Sequence, residues 1–272
     1  MKQKFLILII YLATFTACFA SGLNLHGVFK QGGLVTGFVT PYSKVTQDGL
    51  KIPVSPEGIF LLGFGRDAKA TSKLKIRFPN GKTETRILKI AKRHYKIQRI
   101  NGLPPSKVNP KSKKILNRIR KETRLVGKAR LRNDKRLDFL AGFDWPVIGP
   151  ITGVYGSQRI LNGQKKRPHY GVDVAAPVGT PVHAVADGII TVAHSNMYYS
   201  GGTILLDHGY GLSSAFLHMS KVLVKVGQKV KRGDIIGEVG SKGRSTGPHI
   251  DWRMNLFKKR IDPQLFAHKM PK

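Results

Sequence analysis

A single cysteine, Cys18, occurs in 272 residues, and acids are scarce, with 15 Asp+Glu against 47 Lys+Arg. One thiol excludes an internal disulfide framework and any metal site built on several thiolates. The shortage of acids leaves a formal net charge of +32, which points to a polyanionic partner: nucleic acid, an anionic membrane face or an acidic wall polymer. Long apolar runs are missing too. The N-terminal run Phe5 to Leu12 falls short of the ~20 residues that span a bilayer, and no later segment qualifies. What is present is enough for a core, since 41% of residues are hydrophobic, which excludes a wholly disordered chain. Thirty Gly and 15 Pro without a fixed period exclude collagen and imply many turns, hence a β-rich protein. At roughly 100–200 residues per domain, the length implies one large domain or two modest ones.

Lys2 and Lys4 precede the apolar run, and the small-residue stretch Ala17-Cys-Phe-Ala20 follows it. This order reads as a secretory signal peptide over residues 1–20, cut after Ala20 so that the mature chain starts at Ser21. A second route is lipid anchoring through Cys18, although Phe15 stands where such sites usually carry an aliphatic residue. Export places the protein in the periplasm or cell envelope and counts against nucleic acid as the polyanion.

Residues 21–92 read as a β-rich module of short strands separated by turns such as Gln47-Asp-Gly, Pro56-Glu-Gly and Pro79-Asn-Gly, in the manner of a small β-sandwich. Residues 93–138 read as a basic linker carrying a helix. Between 86 and 136 stand nineteen Lys and Arg and only two acids, Glu122 and Asp134. Asn109-Pro110 predicts a helix start with Asn as N-cap, and Ile115, Ile119, Val126 and Ala129 form an apolar stripe. This basic helix, placed within 107–136, is read either as a contact for an anionic envelope polymer or lipid surface, or as a linker docked on one domain. From 139 to 272 the pattern returns to strands: 182–193, 203–207, 214–217, 222–226 and 235–239, with one brief helix near the end. The fold class is mostly β, with antiparallel sheets in the C-terminal part.

Of nine histidines, three stand in unusual company. His169 and Asp173 are four apart, in a stretch where Pro168 and Gly171 disfavour a helix. His218 ends a strand. His249 and Asp251 share one strand face by the two-residue period. Neutral imidazole and carboxylate are good zinc ligands, yet a lone His beside Gly is ordinarily a turn or surface residue. His26, His94, His183, His194, His208 and His268 are read as structural, His208 as a strand-end turn residue.

Four stretches, 168–182 (Pro-His-Tyr-Gly-Val-Asp onward), 216–220 (Phe-Leu-His-Met-Ser), 226–237 and 243–252 (Gly-Arg-Ser-Thr-Gly-Pro-His-Ile-Asp-Trp), follow in an order and spacing that resembles the lysostaphin-type (LytM-type) zinc endopeptidases of bacterial cell walls. The resemblance runs from about Trp145 to Asp262. It implies a two-sheet antiparallel β domain with a groove, one zinc ion per chain, and cleavage of peptide bonds in peptidoglycan. Carried over by position, His169 and Asp173 match the first two metal ligands, and His218 and His249 match the catalytic histidines. The family's terminal His-x-His is His249-Ile-Asp251 here, so Asp251 stands at the third ligand. Arg159 is a candidate anchor for a substrate carboxylate, and Tyr170 and Tyr198 are candidate groove or packing residues. The competing reading is a non-catalytic relative that binds and activates cell-wall amidases, in which several of these positions would be replaced.

Overall fold

Alternating apolar and polar residues build most of the chain into strands, as in Thr71–Arg77, where every second side chain is buried. The structure is a computed structural model that describes residues 22–271. The segment read as a signal peptide, with Cys18, lies outside the described residues.

The N-terminal part contains β1 (Asn24–Gly27), β2 (Leu34–Phe38), β3 (Lys44–Gln47), β4 (Leu50–Ile52), β5 (Ile59–Gly63), β6 (Thr71–Arg77) and β7 (Thr83–Lys89). They form a three-stranded sheet β1-β2-β5 and a four-stranded sheet β4-β3-β6-β7. Val35, Phe60, Leu62, Leu74 and Ile76 fill the core between them. The opposite faces of β2 and β5 send Leu34, Ile59 and Leu61 into the core of the C-terminal part. One sheet therefore serves two cores, which fastens the two halves together.

The connecting stretch holds β8 (Ile97–Ile100), α1 (Pro105–Val108) and α2 (Lys113–Ala129). The helix does not start at Asn109-Pro110. Asn109 closes α1 instead, and α2 begins after Ser112, without a side-chain cap. The reason is a competing partner. The Asn109 side chain donates to Gln164 Oε1 and accepts from Lys166 Nζ, so it is not free to cap. The long helix of the basic stretch thus occupies 113–129, inside the expected 107–136, with the short α1 ahead of it.

The C-terminal part contains β9 (Ile151–Gly153), β10 (Gln158–Leu161), β11 (Gln164–Lys165), β12 (Val172–Ala175), β13 (Pro181–His183), β14 (Gly188–Met197) and β15 (Gly201–Asp207). It continues with β16 (Leu212–Met219), β17 (Lys221–Val222), β18 (Lys229–Val230), β19 (Ile235–Glu238), β20 (His249–Leu256) and β21 (Lys259–Ile261). The main sheet runs β18-β14-β15-β16-β20-β12-β9, with β21 paired to β20, and a small sheet runs β13-β19-β17. The strand expected over 182–193 is broken at 184–187, because β13 and β14 belong to different sheets and the chain must bend between them. The strand expected over 222–226 ends at Val222, and a turn follows in which Lys225 N–H donates to the Gln228 side chain. The brief C-terminal helix is a 3-10 turn at Pro263–Leu265.

Strands β15 and β16 are buried along their whole length, because both faces are covered. Ile204, Leu206 and Phe216 point into the main core. Leu205, Ala215 and Leu217 point to the other face, where Val126 and Ala129 of α2 pack against them. The C-terminal half of the expected apolar stripe, Val126 and Ala129, therefore docks on the sheet that carries the candidate site.

Candidate metal centre

Antiparallel pairing of β12 with β20 sets Asp173 directly opposite Asp251. Two carboxylates across a strand pair repel each other, and both are buried, Asp251 completely. The fold compensates with cations. Arg253, two residues beyond Asp251 on the same strand face, donates through Nε to Oδ1 at 2.9 Å and Oδ2 at 3.0 Å, and through Nη2 to Oδ2. Arg159 of β10 reaches Asp173 Oδ2 at 3.2 Å. The guanidinium groups thus sit mainly on the outer oxygens.

The inner side is open for a further cation. His169, on the loop entering β12, places Nε2 3.1 Å from Asp173 Oδ1 and 3.3 Å from Asp251 Oδ1. Neither contact has hydrogen-bond geometry. Among the described residues, His169 Nε2 and Asp173 Oδ1 are buried without a hydrogen-bond partner, a costly state for polar atoms unless something else satisfies them. Ligand atoms of His169, Asp173 and Asp251 all lie within 4.8 Å of one another. The donor set, one imidazole and two carboxylates, suits a divalent ion, so these residues fit a metal site. Burial works against charge on His169, but Asp251 and Asp173 outweigh it and raise its pKa. Burial alone would push Asp251 up, yet Arg253 and His169 hold it well below the usual carboxylate range. Both shifts report a site whose field favours positive charge at its centre.

Two glycines make the approach possible. A Cβ on Gly171 would lie 2.2 Å from Asp251 Oδ1, and one on Gly153 would lie 2.1 Å from Asp173 Oδ2.

His218 and His249 stand beside this centre with ring centroids 4.8 Å apart. His249 Nε2 is 3.8 Å from Asp173 Oδ1. Each ring uses Nδ1 to meet a carbonyl, His218 that of Lys242 and His249 that of Gly247, both at 2.8 Å. With Nδ1 as donor, the tautomer leaves Nε2 with its lone pair. Burial, reinforced by neighbouring His249, lowers the pKa of His218 to about 4. His218 also holds a backbone φ of 71°, a left-handed conformation rare for a side chain with a Cβ.

All five expected site residues therefore meet at one place. Arg159 joins them, with a metal-site carboxylate as its partner. Tyr198 is packed, its hydroxyl donating to Ser106 O, and Tyr170 stacks edge-on against Tyr155. The sequence reading passed over Arg253, although the two-residue period that grouped His249 with Asp251 extends to it. It also passed over the connecting stretch. Gln98, Ile100 and Leu103 face Asp173, His218 and His249 across a 110 Å³ cavity. Lys107 Nζ and Arg244 Nη1 fasten that stretch through Tyr198 O and Lys107 O.

Residues 167–263 match the model of Peptidase family M23. A Vibrio cholerae protein named peptidoglycan DD-endopeptidase ShyA is 45% identical over 121 residues, which are 44% of this chain and 25% of that protein. A Neisseria meningitidis protein named DD-carboxypeptidase/endopeptidase Mpg is 39% identical over 105 residues, 39% of this chain and 24% of that one. The chain thus matches about a quarter of the length of these curated relatives. A Pseudomonas aeruginosa crystal structure assigned to peptidase M23 superposes with a TM-score of 0.68 at 29% identity, covering 87% of this chain and 94% of that one.

Proposed function

Because residues 167–263 make up a peptidase family M23 domain, we propose that this protein is a zinc-dependent endopeptidase that hydrolyses peptide bonds in the stem peptides or cross-links of peptidoglycan. The carrying observation is the convergence of unpartnered His169 and Asp173 atoms with Asp251 beside the His218–His249 pair. His169, Asp173 and Asp251 would hold the ion. When bound, zinc supplies Lewis acidity that polarises a carbonyl and acidifies water.

The chain's own groups supply the proton traffic. His249 Nε2 and His218 Nε2 are the acceptor positions, since both Nδ1 atoms are spent on carbonyls. Two imidazoles this close do not both carry charge readily, so one ring takes a proton at Nε2 while the other ring stays neutral. That same protonated Nε2 then donates to developing negative charge or passes the proton to the leaving amine. Arg253 and Arg159 fix the carboxylate orientations. The location that accords with this substrate is the bacterial envelope, reached by export.

Digestion of purified peptidoglycan by zinc-loaded protein, with products identified by mass spectrometry, tests the reading. Cleaved cross-links that disappear with a chelator and in His249→Ala are expected. Intact peptidoglycan under all conditions, with a partner amidase activated instead, would replace this reading by the non-catalytic one.

A further inference from the structure

Between α2 and the face of β15 and β16 that it covers lies a 610 Å³ cavity whose wall includes His218. Its charged lining is overwhelmingly basic. Arg159 and Arg253 are balanced by Asp173 and Asp251. Arg130, Lys166, Arg167, Arg244 and Arg260 also line it, and none of these five makes an ion pair among the described residues. The one lining acid, Glu122, is already taken by Arg118 and the backbone N–H of Tyr198. Arg130 Nε is buried with no hydrogen-bond partner, and Arg260 has one side-chain hydrogen bond, 3.3 Å to Asn255, and a place over the Tyr170 ring at 5.6 Å.

A guanidinium group stays charged in proteins and needs acceptors for its donors. Arg244 has the Lys107 carbonyl and the Tyr199 ring, and Lys166 has Asn109. Arg130 Nε has no acceptor, however, and none of the five has a counter-ion among the described residues. A divalent ion at the adjoining centre would add to the same positive field. Burial, and after it repulsion from Arg260 and Arg253, lowers Arg130 to about 8, and burial with repulsion from Arg253 lowers Arg260 to about 10. Such a cavity is complete only with an anion in it.

We propose that this cavity is a subsite for an acidic peptide, in which Arg130 and Arg260 bind carboxylates and Arg244 stands on the His218 side. The inference rests on the peptidase reading, because it is the peptide substrate of that site that would run past His218 into the cavity. Guanidinium groups from the end of α2, from the loop before β20 and from β21 line this one cavity, and each can meet a carboxylate with a forked donor pair. The peptide arms of bacterial wall polymer carry free carboxylates of this kind.

The test uses zinc-loaded protein and two probes, a wall stem peptide with free carboxylates and the same peptide with them amidated. Calorimetry in a His249→Ala background, which stops turnover, is expected to give at least tenfold tighter binding of the free-carboxylate probe. Arg130→Gln and Arg260→Gln should each erode that ratio, and together bring it near one, while the Kd of the amidated probe moves less than twofold. Arg130→Lys, which keeps the charge, should retain part of the preference and shows that the fold is intact. Equal binding of both probes, or a ratio unchanged in the double variant, overturns the subsite. Turnover of both probes by the unmutated protein with equal affinities would leave the peptidase reading standing and remove the subsite. If neither probe is turned over, the peptidase reading fails, and the binding ratio still decides the subsite.

Discussion

Replacing Asp251 by Ala separates what this carboxylate does for the metal from what it does for the fold. Asp251 is fully buried and holds Arg253 in a forked pair. Its removal leaves a guanidinium with no counter-charge in a poorly solvated place, a change that costs about 3–5 kcal/mol. For a chain of this size each kcal/mol moves the melting temperature by about 2–4 °C, so a fall of about 6–20 °C is expected for metal-free protein. Adding Arg253→Met removes the stranded charge and should recover most of that loss. Zinc affinity should not follow. With His169 and Asp173 alone remaining, calorimetry should show affinity reduced by on the order of a hundredfold or more, in Asp251→Ala and in the double variant alike. Asp251→His should keep zinc while losing stability, because a neutral imidazole cannot balance Arg253. Wild-type zinc affinity in Asp251→Ala would strike Asp251 from the ligand set. Recovery of zinc affinity in the double variant would show that the first loss was only distortion by the unpaired arginine.

Gly171→Ala should lower both zinc affinity and stability, the latter by about 1–3 kcal/mol, since the added Cβ would meet Asp251 Oδ1 at 2.2 Å and Trp252 O at 2.7 Å; unchanged zinc titration would refute the close-approach argument. His208, buried with its ring nitrogens on Asp187 O and Ser214 Oγ, has its pKa lowered to about 4 by burial. The unfolded chain, with a value of about 6.5, therefore takes up the extra proton, and stability is lost as pH falls from about 6.5 towards 4, by up to about 3 kcal/mol. Urea unfolding across that range should be less pH-dependent in His208→Gln, and equal slopes would exclude His208 as the source. Exposed Lys113, Lys114, Lys121 and Arg124 on α2, changed together to Gln, should weaken binding to purified peptidoglycan sacculi and flatten its salt dependence. Unaltered binding would leave α2 as a docked linker.

The candidate site residues that the structure brings together stand out in the sequence because their signals are local. A two-residue period alone puts His249 and Asp251 on one face, and fixed short motifs mark His169, Asp173 and His218. The β-rich class was legible for the same reason, through turn residues and alternation. Other features depend on pairing across long separations, where no local signal exists. Asp173 faces Asp251 only because β12 pairs with β20 in one particular register, and that register is what makes Arg253 and Arg159 necessary. Asn109 reads as a helix cap until the β10–β11 hairpin supplies Gln164 and Lys166 as stronger partners. The strand expected over 182–193 splits because its halves join different sheets. Charge shows the same division. Composition fixed that the chain is basic, but only docking of Val126 and Ala129 on the sheet brings Arg130 of the linker beside Arg260 of the C-terminal part, since it is packing, and not the number of cations, that decides which charges share a cavity.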